Sequence, residues 1–170
     1  MQSVWKENLK LPEFEQLKGS LKTDVLIIGG GMAGILCAYI LEKEGVDYAL
    51  VEAETICSGI TGNTTAKITS QHGLIYDKLV RQFSVEEARM YLSANEAAIE
   101  KYRELCANID CGFETKDSYV YSLSNRKKLE KEMAALGKIG YPAELAEHLP
   151  LPVNTCLLYT SPSPRDRTRS

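Results

Sequence analysis

The chain has 170 residues, 44% hydrophobic and 25% charged, with a formal net charge of -3. That balance suits a globular domain with a buried core rather than a disordered chain, and without a Lys/Arg stripe it gives no electrostatic footprint for nucleic acid. Five cysteines, Cys37, Cys57, Cys106, Cys111 and Cys156, show neither CxxC spacing nor nearby histidines, which argues against a disulfide framework or a zinc site and for a reducing cytoplasm.

Met1 to Phe14 mixes Lys6, Glu7, Lys10 and Glu13 with a proline and aromatics, unlike a secretory leader. The polar lead-in ends near Ser20. Val25 to Leu41 then carries no charge, but its four glycines and its length fit a buried strand, a tight turn and a buried helix better than a membrane span. Asp24 introduces the first strand, Val25-Leu26-Ile27-Ile28, whose continuous apolar run suits a central parallel strand covered on both faces. A helix is predicted from Met32 through Glu44, with Gly45 as its stop. Tyr48 to Val51 reads as a second strand, completing a right-handed βαβ unit.

Cys57 to Ser70 is rich in Gly, Ser, Thr and Asn and reads as an irregular loop. Ser84 and Glu87 form a capping-box pair ahead of Ala88, Tyr91, Leu92, Asn95, Ala98, Ile99, Tyr102 and Leu105, which recur at helical spacing. They predict a long amphipathic helix, in which Tyr91 and Tyr102 are core residues rather than substrate contacts. Phe113 to Leu123 suggests a strand, and Ser124 a cap for a charged helix reaching about Leu136. Beyond that helix, Pro142, Pro150 and Pro152 break the chain into loop or edge-strand pieces. No internal repeat is present.

The last fifteen residues, CLLYTSPSPRDRTRS, change composition abruptly. Cys156 to Asp166 resembles an in-frame translation of the transposon-end adaptor used in sequencing libraries, beginning TGT CTC TTA TAC ACA TCT. On that reading residues 156–170 are not native, and the natural protein continues differently after about Thr155. Setting aside three arginines and one aspartate takes the net charge from -3 to -5.

The motif that carries chemistry is Gly29-Gly30-Gly31-Met32-Ala33-Gly34, a G-x-G-x-x-G placed after a strand and opening a helix. Gly29 allows the turn, Gly31 lets backbone approach a pyrophosphate, and Gly34 lets helix and strand pack closely. The helix N-terminus meets the phosphate charge with free N–H groups and its dipole. Glu52, 18 residues past Gly34, stands where a carboxylate accepts bonds from a ribose 2′-OH, which disfavours NADP. FAD and NAD both use this unit. Ser58-Gly59-Ile60-Thr61-Gly62-Asn63-Thr64-Thr65 adds donors suited to a pyrophosphate and ribityl chain. Lys67 and His72 could stand near a flavin, where a cation stabilises the reduced ring, or be a surface lysine and a turn histidine. Cys57 reads as a small loop or core residue rather than a redox thiol.

These residues, from DVLIIGGGMAGILCAY to KITSQHGLIYDKL, resemble the opening of the D-amino-acid oxidase (DAO) family of FAD-dependent oxidoreductases, especially the branch whose longer members end in a Rieske iron-sulfur domain. The resemblance spans about Ser3 to Thr155. It implies an α/β fold: a partial Rossmann-type FAD-binding domain followed by the start of a mixed substrate domain. Residues 1–20 would then be a lead-in, 21–83 the FAD-binding βαβ unit and nucleotide loop, 84–155 the start of the substrate domain and 156–170 the non-native tail. It implies that Gly29, Gly31, Met32, Ala33 and Gly34 contact the FAD pyrophosphate, Glu52 and Ala53 the adenosine ribose side, and Gly59, Thr61, Thr64 and Thr65 the stretch towards the flavin.

The early loop lacks the histidine to which some members attach FAD covalently, so noncovalent FAD is expected. The Rieske ligand set of two Cys and two His is not met by His72 and His148 in the family's spacing, so that cluster belongs only to a hypothetical full-length form. The implied reaction is oxidation of a C–N bond in a small-molecule amine or amino acid, with gamma-glutamylputrescine-type, glycine-like and sarcosine-like substrates all open. The catalytic residues are not identified, and the isolated chain is expected to be inactive. An NAD-linked Rossmann enzyme and a nonenzymatic nucleotide-binding module are the alternatives.

Overall fold

The structure, a computed structural model, describes residues 11–122, 125–141, 143–146 and 156–163. It is an α/β fold that divides into two compact units, one ending at Thr65 and one beginning at Ala66.

In the first unit, β1 (Val25–Ile28) and β2 (Tyr48–Val51) pair in parallel, Val25 opposite Tyr48 and Ile28 opposite Val51, joined by α1 (Met32–Lys43). The stop predicted at Gly45 takes a defined form. Gly45 adopts φ +66°, and the Gly45 and Val46 amides donate to the carbonyls of Glu42 and Leu41, a Schellman closure that uses the last free carbonyls of α1. The uncharged Val25 to Leu41 stretch is therefore a strand, a turn and a helix, and no helix among the described residues is long and apolar enough to cross a membrane. Strand β1 departs from the expectation of two covered faces. Its residues alternate in burial, with Leu26 56% and Ile28 81% exposed, because β2 supplies the strand's one described pairing and α1 contacts the sheet on one face.

The loop after β2 contains one turn of helix, α2 (Ile60–Asn63), where composition suggests irregular chain. The Asn63 side-chain amide donates to the Gly59 carbonyl, a local bond that lets a Gly/Thr/Asn segment hold a single helical turn.

The second unit holds three helices and a three-stranded antiparallel sheet. Helix α3 (Tyr76–Gln82), which no sequence pattern marks, packs against α4 (Val85–Cys106) and α5 (Arg126–Ile139). The 22-residue α4 begins at the predicted cap. Ser84 Oγ accepts the Glu87 amide at 3.0 Å and donates to the Glu87 carboxylate at 2.8 Å. Replacing Ser84 with alanine removes both bonds at an exposed helix start, and should lower stability by about 1 kcal/mol in urea unfolding. Ala88, Leu92 and Ile99 are buried and Tyr91 packs on the core, as the periodicity requires, whereas Ala98 is exposed.

Tyr76, Ala88, Leu92, Leu129, Ala135, Leu136 and Ile139 form the core. Helix α5 starts one residue after its cap, Asn125, whose side chain accepts the Lys128 amide; it ends at Gly140 (φ +80°), with the Tyr141 amide on the Leu136 carbonyl. The cap expected at Ser124 thus falls on the neighbouring asparagine, and the helix runs one turn beyond Leu136 because Gly140 supplies the left-handed stop.

Strand β3 (Glu114–Tyr121) lies inside the predicted 113–123 strand, and the short β4 (Glu144–Ala146) follows Pro142. Between them in the sheet lies β5 (Cys156–Ser163), with Glu114 opposite Ser163, Tyr121 opposite Cys156 and Glu144 opposite Leu158. The segment set apart by composition as a tail is therefore the middle strand. Ladder pairing draws on backbone groups, which an appended segment offers as readily as a native one.

Candidate functional site: the nucleotide loop

Parallel strands β1 and β2 end side by side, and the chain leaving β1 turns at once into α1. An open cleft of about 360 Å³ sits at those ends, lined by Ile28, Gly29, Val51, Glu52 and Ala53. This is where ligands of open α/β sheets bind, beyond the carboxyl ends of the strands.

The glycines of the loop divide by what holds them there. Gly29 has φ +107°, which a side chain resists, and its amide continues the ladder to the Val51 carbonyl at 2.8 Å. At Gly34 a Cβ would fall 2.0 Å from the Gly29 carbonyl oxygen, so helix and turn pack at backbone contact, as expected of the third motif glycine. Gly31 differs. It is the N-cap of α1 with φ -79°, ordinary for any residue, and a Cβ there would meet Thr61 Oγ1 at 3.5 Å, an ordinary contact. Neither conformation nor packing within the chain demands a glycine at 31.

Gly30, given no role by the motif, ties the loop together. It is buried, and a Cβ would meet Ile56 Cγ2 at 2.7 Å and Glu52 Cβ at 3.2 Å. Its amide donates to Glu52 Oε2 at 2.7 Å and its carbonyl accepts the Cys57 amide at 2.9 Å. The available signal was a third consecutive glycine where the motif requires none. Cys57 itself sits at φ +56°, a conformation that this backbone bond helps to hold.

Glu52 has a second task beside any ribose contact: Oε1 accepts the Glu54 amide at 3.0 Å while Oε2 holds Gly30. Those amide bonds, Gly30 first, keep its carboxyl below the usual carboxylate value, so it is anionic at neutral pH. A carboxylate has about four acceptor positions, and the Gly30, Glu54 and Ala53 amides do not fill them all.

Thr61, from α2, accepts the Met32 amide at 3.0 Å. A side-chain oxygen from the following loop therefore faces the start of α1, on the side where a phosphate oxygen would be received. Gly29, Gly31, Met32, Gly34, Glu52, Ala53 and Thr61 thus converge on one end of the first unit, with Ala33 exposed in the first turn of α1. Gly59 caps α2 in open space, and Thr64 leaves α2 in extended conformation with Thr65 exposed after it. Lys67 and His72 belong to the second unit and are exposed; His72 Nε2 lies 3.4 Å from Asn95 Oδ1, with its ring edge-on to Tyr91. Among the described residues no group of three His, Cys, Asp or Glu could hold a metal ion.

The family of FAD-dependent oxidoreductases called DAO matches residues 24–160. A Bacillus subtilis (strain 168) protein named YhfW and described as a Rieske 2Fe-2S iron-sulfur protein is 38% identical over 160 residues, covering 92% of this chain and 31% of that protein. The gamma-glutamylputrescine oxidoreductase of Escherichia coli (strain K12) is 28% identical over 106 residues, covering 61% of this chain and 25% of the enzyme. Among solved structures, L-proline dehydrogenase from P. horikoshii superposes with a TM-score of 0.55 at 20% identity, covering 84% of this chain and 37% of that one. Glycine oxidase from Bacillus cereus ATCC 14579 gives 0.53 at 22%, covering 84% and 39%. These two likenesses concern the fold. The chain spans about a third or less of the length of the first two relatives. A βαβ unit with this glycine turn, Glu52 at its second strand and a family match over residues 24–160 place the chain in the DAO family of FAD-dependent oxidoreductases.

Proposed function

We propose that the chain forms the nucleotide-binding opening of an FAD-dependent enzyme that oxidises the C–N bond of a small amine or amino acid in the cytoplasm. The observation that carries the cofactor reading is Gly31. A glycine that neither φ nor internal packing calls for, at the N-cap of the helix that opens the cleft, leaves room for something outside the chain. A pyrophosphate fits that room. The amides of the first turn of α1 beyond Met32, whose own amide is held by Thr61 Oγ1, are its donors, and no basic side chain is needed.

On this reading Gly29, Gly31, Met32, Ala33 and Gly34 hold the pyrophosphate, and Glu52 and Ala53 the adenosine ribose. Gly59, Thr61, Thr64 and Thr65 run towards the flavin, which is held noncovalently. FAD, when bound, supplies the acceptor for the hydride leaving the carbon beside the amine, and water then hydrolyses the imine. Glu52 has a positioning part besides binding: its grip on the Gly30 amide fixes the turn before the ligand arrives. The names of similar proteins, gamma-glutamylputrescine oxidoreductase and glycine oxidase, support an amine or amino acid as substrate. The YhfW likeness supports a Rieske domain in longer forms. Residues 156–170 are read as an appended segment, which the nucleotide sequence across codon 156 in an independent clone tests.

Titrating the 170-residue chain with FAD and with NAD, while following backbone amides by NMR, tests the cofactor. FAD should shift Gly30, Gly31 and Met32 and extend to Thr64 and Thr65, and NAD should bind more weakly. Tighter binding of NAD, or a loop that neither nucleotide moves, would overturn the reading.

A further inference from the structure

In the sheet of the second unit β3 and β4 do not pair with each other. Each pairs antiparallel with β5, which lies between them. They therefore run in the same direction about 9–10 Å apart, twice the spacing of paired strands and too far for a direct ladder. The register fixes what the space between them asks for. Val120 and Leu145 both pack against the core, and both stand opposite position 157. Directly opposed residues of an antiparallel pair share a face, so position 157 belongs to the core face. Position 159 stands opposite Ser118 on that same face. Ser118 Oγ is buried and has no hydrogen-bond partner among the described residues. Position 158, between the exposed Tyr119 and Glu144 on the outer face, carries no such demand.

We propose that the natural occupant of this space is the segment that follows Thr155 in the natural protein. It enters as a strand antiparallel to both β3 and β4, with an apolar residue at position 157 and a short hydrogen-bonding side chain, Ser, Thr or Asn, at position 159 that pairs with Ser118 Oγ. The inference rests on the reading of residues 156–170 as appended. Three observations choose this occupant. The native stretch reaches Thr155, and the next position, 156, stands opposite Tyr121 and Ala146 at the mouth of the space, so a strand continuing there needs no further connection. This chain covers only 31% of the similar YhfW protein, so longer forms have chain to supply. The third is the hydroxyl of Ser118. Strand β5 holds its place through backbone pairing, which any extended segment offers, and leaves that buried hydroxyl unpaired. A buried hydroxyl without a partner is costly, whereas a Ser–Thr or Ser–Ser pair across strands is a stabilising contact.

The codons after Thr155 are read from an independent clone, and two chains are produced: the 170-residue chain and one in which the full natural continuation replaces residues 156–170. Each is made with Ser118 and with Ser118→Ala. In the 170-residue chain alanine removes an unpaired hydroxyl, so the melting temperature should stay or rise. In the continued chain the same change breaks the pair with position 159, and the melting temperature should fall by about 3 °C. With Ser118 in place, the Tyr119 and Val120 amides should exchange with deuterium roughly tenfold more slowly in the continued chain than in the 170-residue chain. A natural continuation with a charged residue at position 157, or without a hydrogen-bonding side chain at position 159, would overturn the proposal. So would an equal fall in both chains, which would put the partner of Ser118 outside the strand. Codons that again encode CLLYTS would overturn the appended reading itself, and the proposal with it.

Discussion

Replacing Glu132 with alanine should unfold the second unit more readily than any other single truncation on its helices, by about 3 kcal/mol or more, set against a total stability of about 5–15 kcal/mol. Glu132 lies on α5 with no exposed surface, among Leu129, Ala135 and Leu136. Its carboxylate crosses to the start of α3, where Oε1 accepts the Tyr76 amide at 2.9 Å and Oε2 the Asp77 amide at 2.8 Å. Helix α3 has no side-chain cap of its own at Ile75, so a residue 56 positions from Tyr76 supplies it. Alanine removes both acceptors and leaves a void. Glutamine keeps one oxygen but turns an NH2 group towards the second amide, so its cost should be about half as large.

The pH dependence separates the charge from the packing. Burial raises the Glu132 carboxyl above 4.5, and the Asp77 charge adds to it, while the Asp77 and Tyr76 amides pull it down without reversing the direction. The folded chain therefore holds the proton more tightly than the unfolded chain does. This contribution is fully present below 4.5 and is lost as pH rises through the raised value. Urea unfolding at a series of pH values should show the margin of the unsubstituted chain over Glu132→Gln narrowing across that window; a margin that widened instead would mean that the amide bonds outweigh desolvation.

The same residue marks the limit of what the sequence could tell. Strand β1, helix α1 and strand β2 were legible because an apolar run, a glycine turn and a Gly45 stop are local signals, and α4 was legible because Ser84, Glu87 and the apolar spacing agree with one another. Helix α3 was not, since its seven residues are too few for a periodicity and its capping carboxylate comes from α5. The exposed face of β1 was unreadable for a related reason. An apolar run states which residues can be covered, not which neighbours do the covering. At the site, motif spacing pointed to Gly29, Gly34 and Glu52, but the grip of Glu52 on Gly30 depends on β2 ending level with β1, a register that spacing alone does not carry.

Two alanine substitutions in the loop should have opposite signatures. In Gly34→Ala the new Cβ would lie 2.0 Å from the Gly29 carbonyl oxygen. The obstacle is backbone, so no rotamer change relieves it; α1 must move away from the end of β1, at about 3 kcal/mol, the upper range for overpacking. Thermal unfolding of the first unit should fall, and FAD binding should fall with it because the cleft has lost its shape. Gly31→Ala adds the same methyl group where φ is -79° and the nearest atom, Thr61 Oγ1, is 3.5 Å away. Stability should change by no more than about 0.5 kcal/mol, and α1 gains nothing to clash with. Only a ligand lying against the N-cap would meet that methyl, so FAD affinity should drop at least tenfold, or about 1.4 kcal/mol, while the melting curve stays in place. A Gly31→Ala chain that melts normally and binds FAD as tightly as the unsubstituted one would remove the pyrophosphate from this end of α1, because the glycine at 31 would then answer to neither the fold nor the ligand.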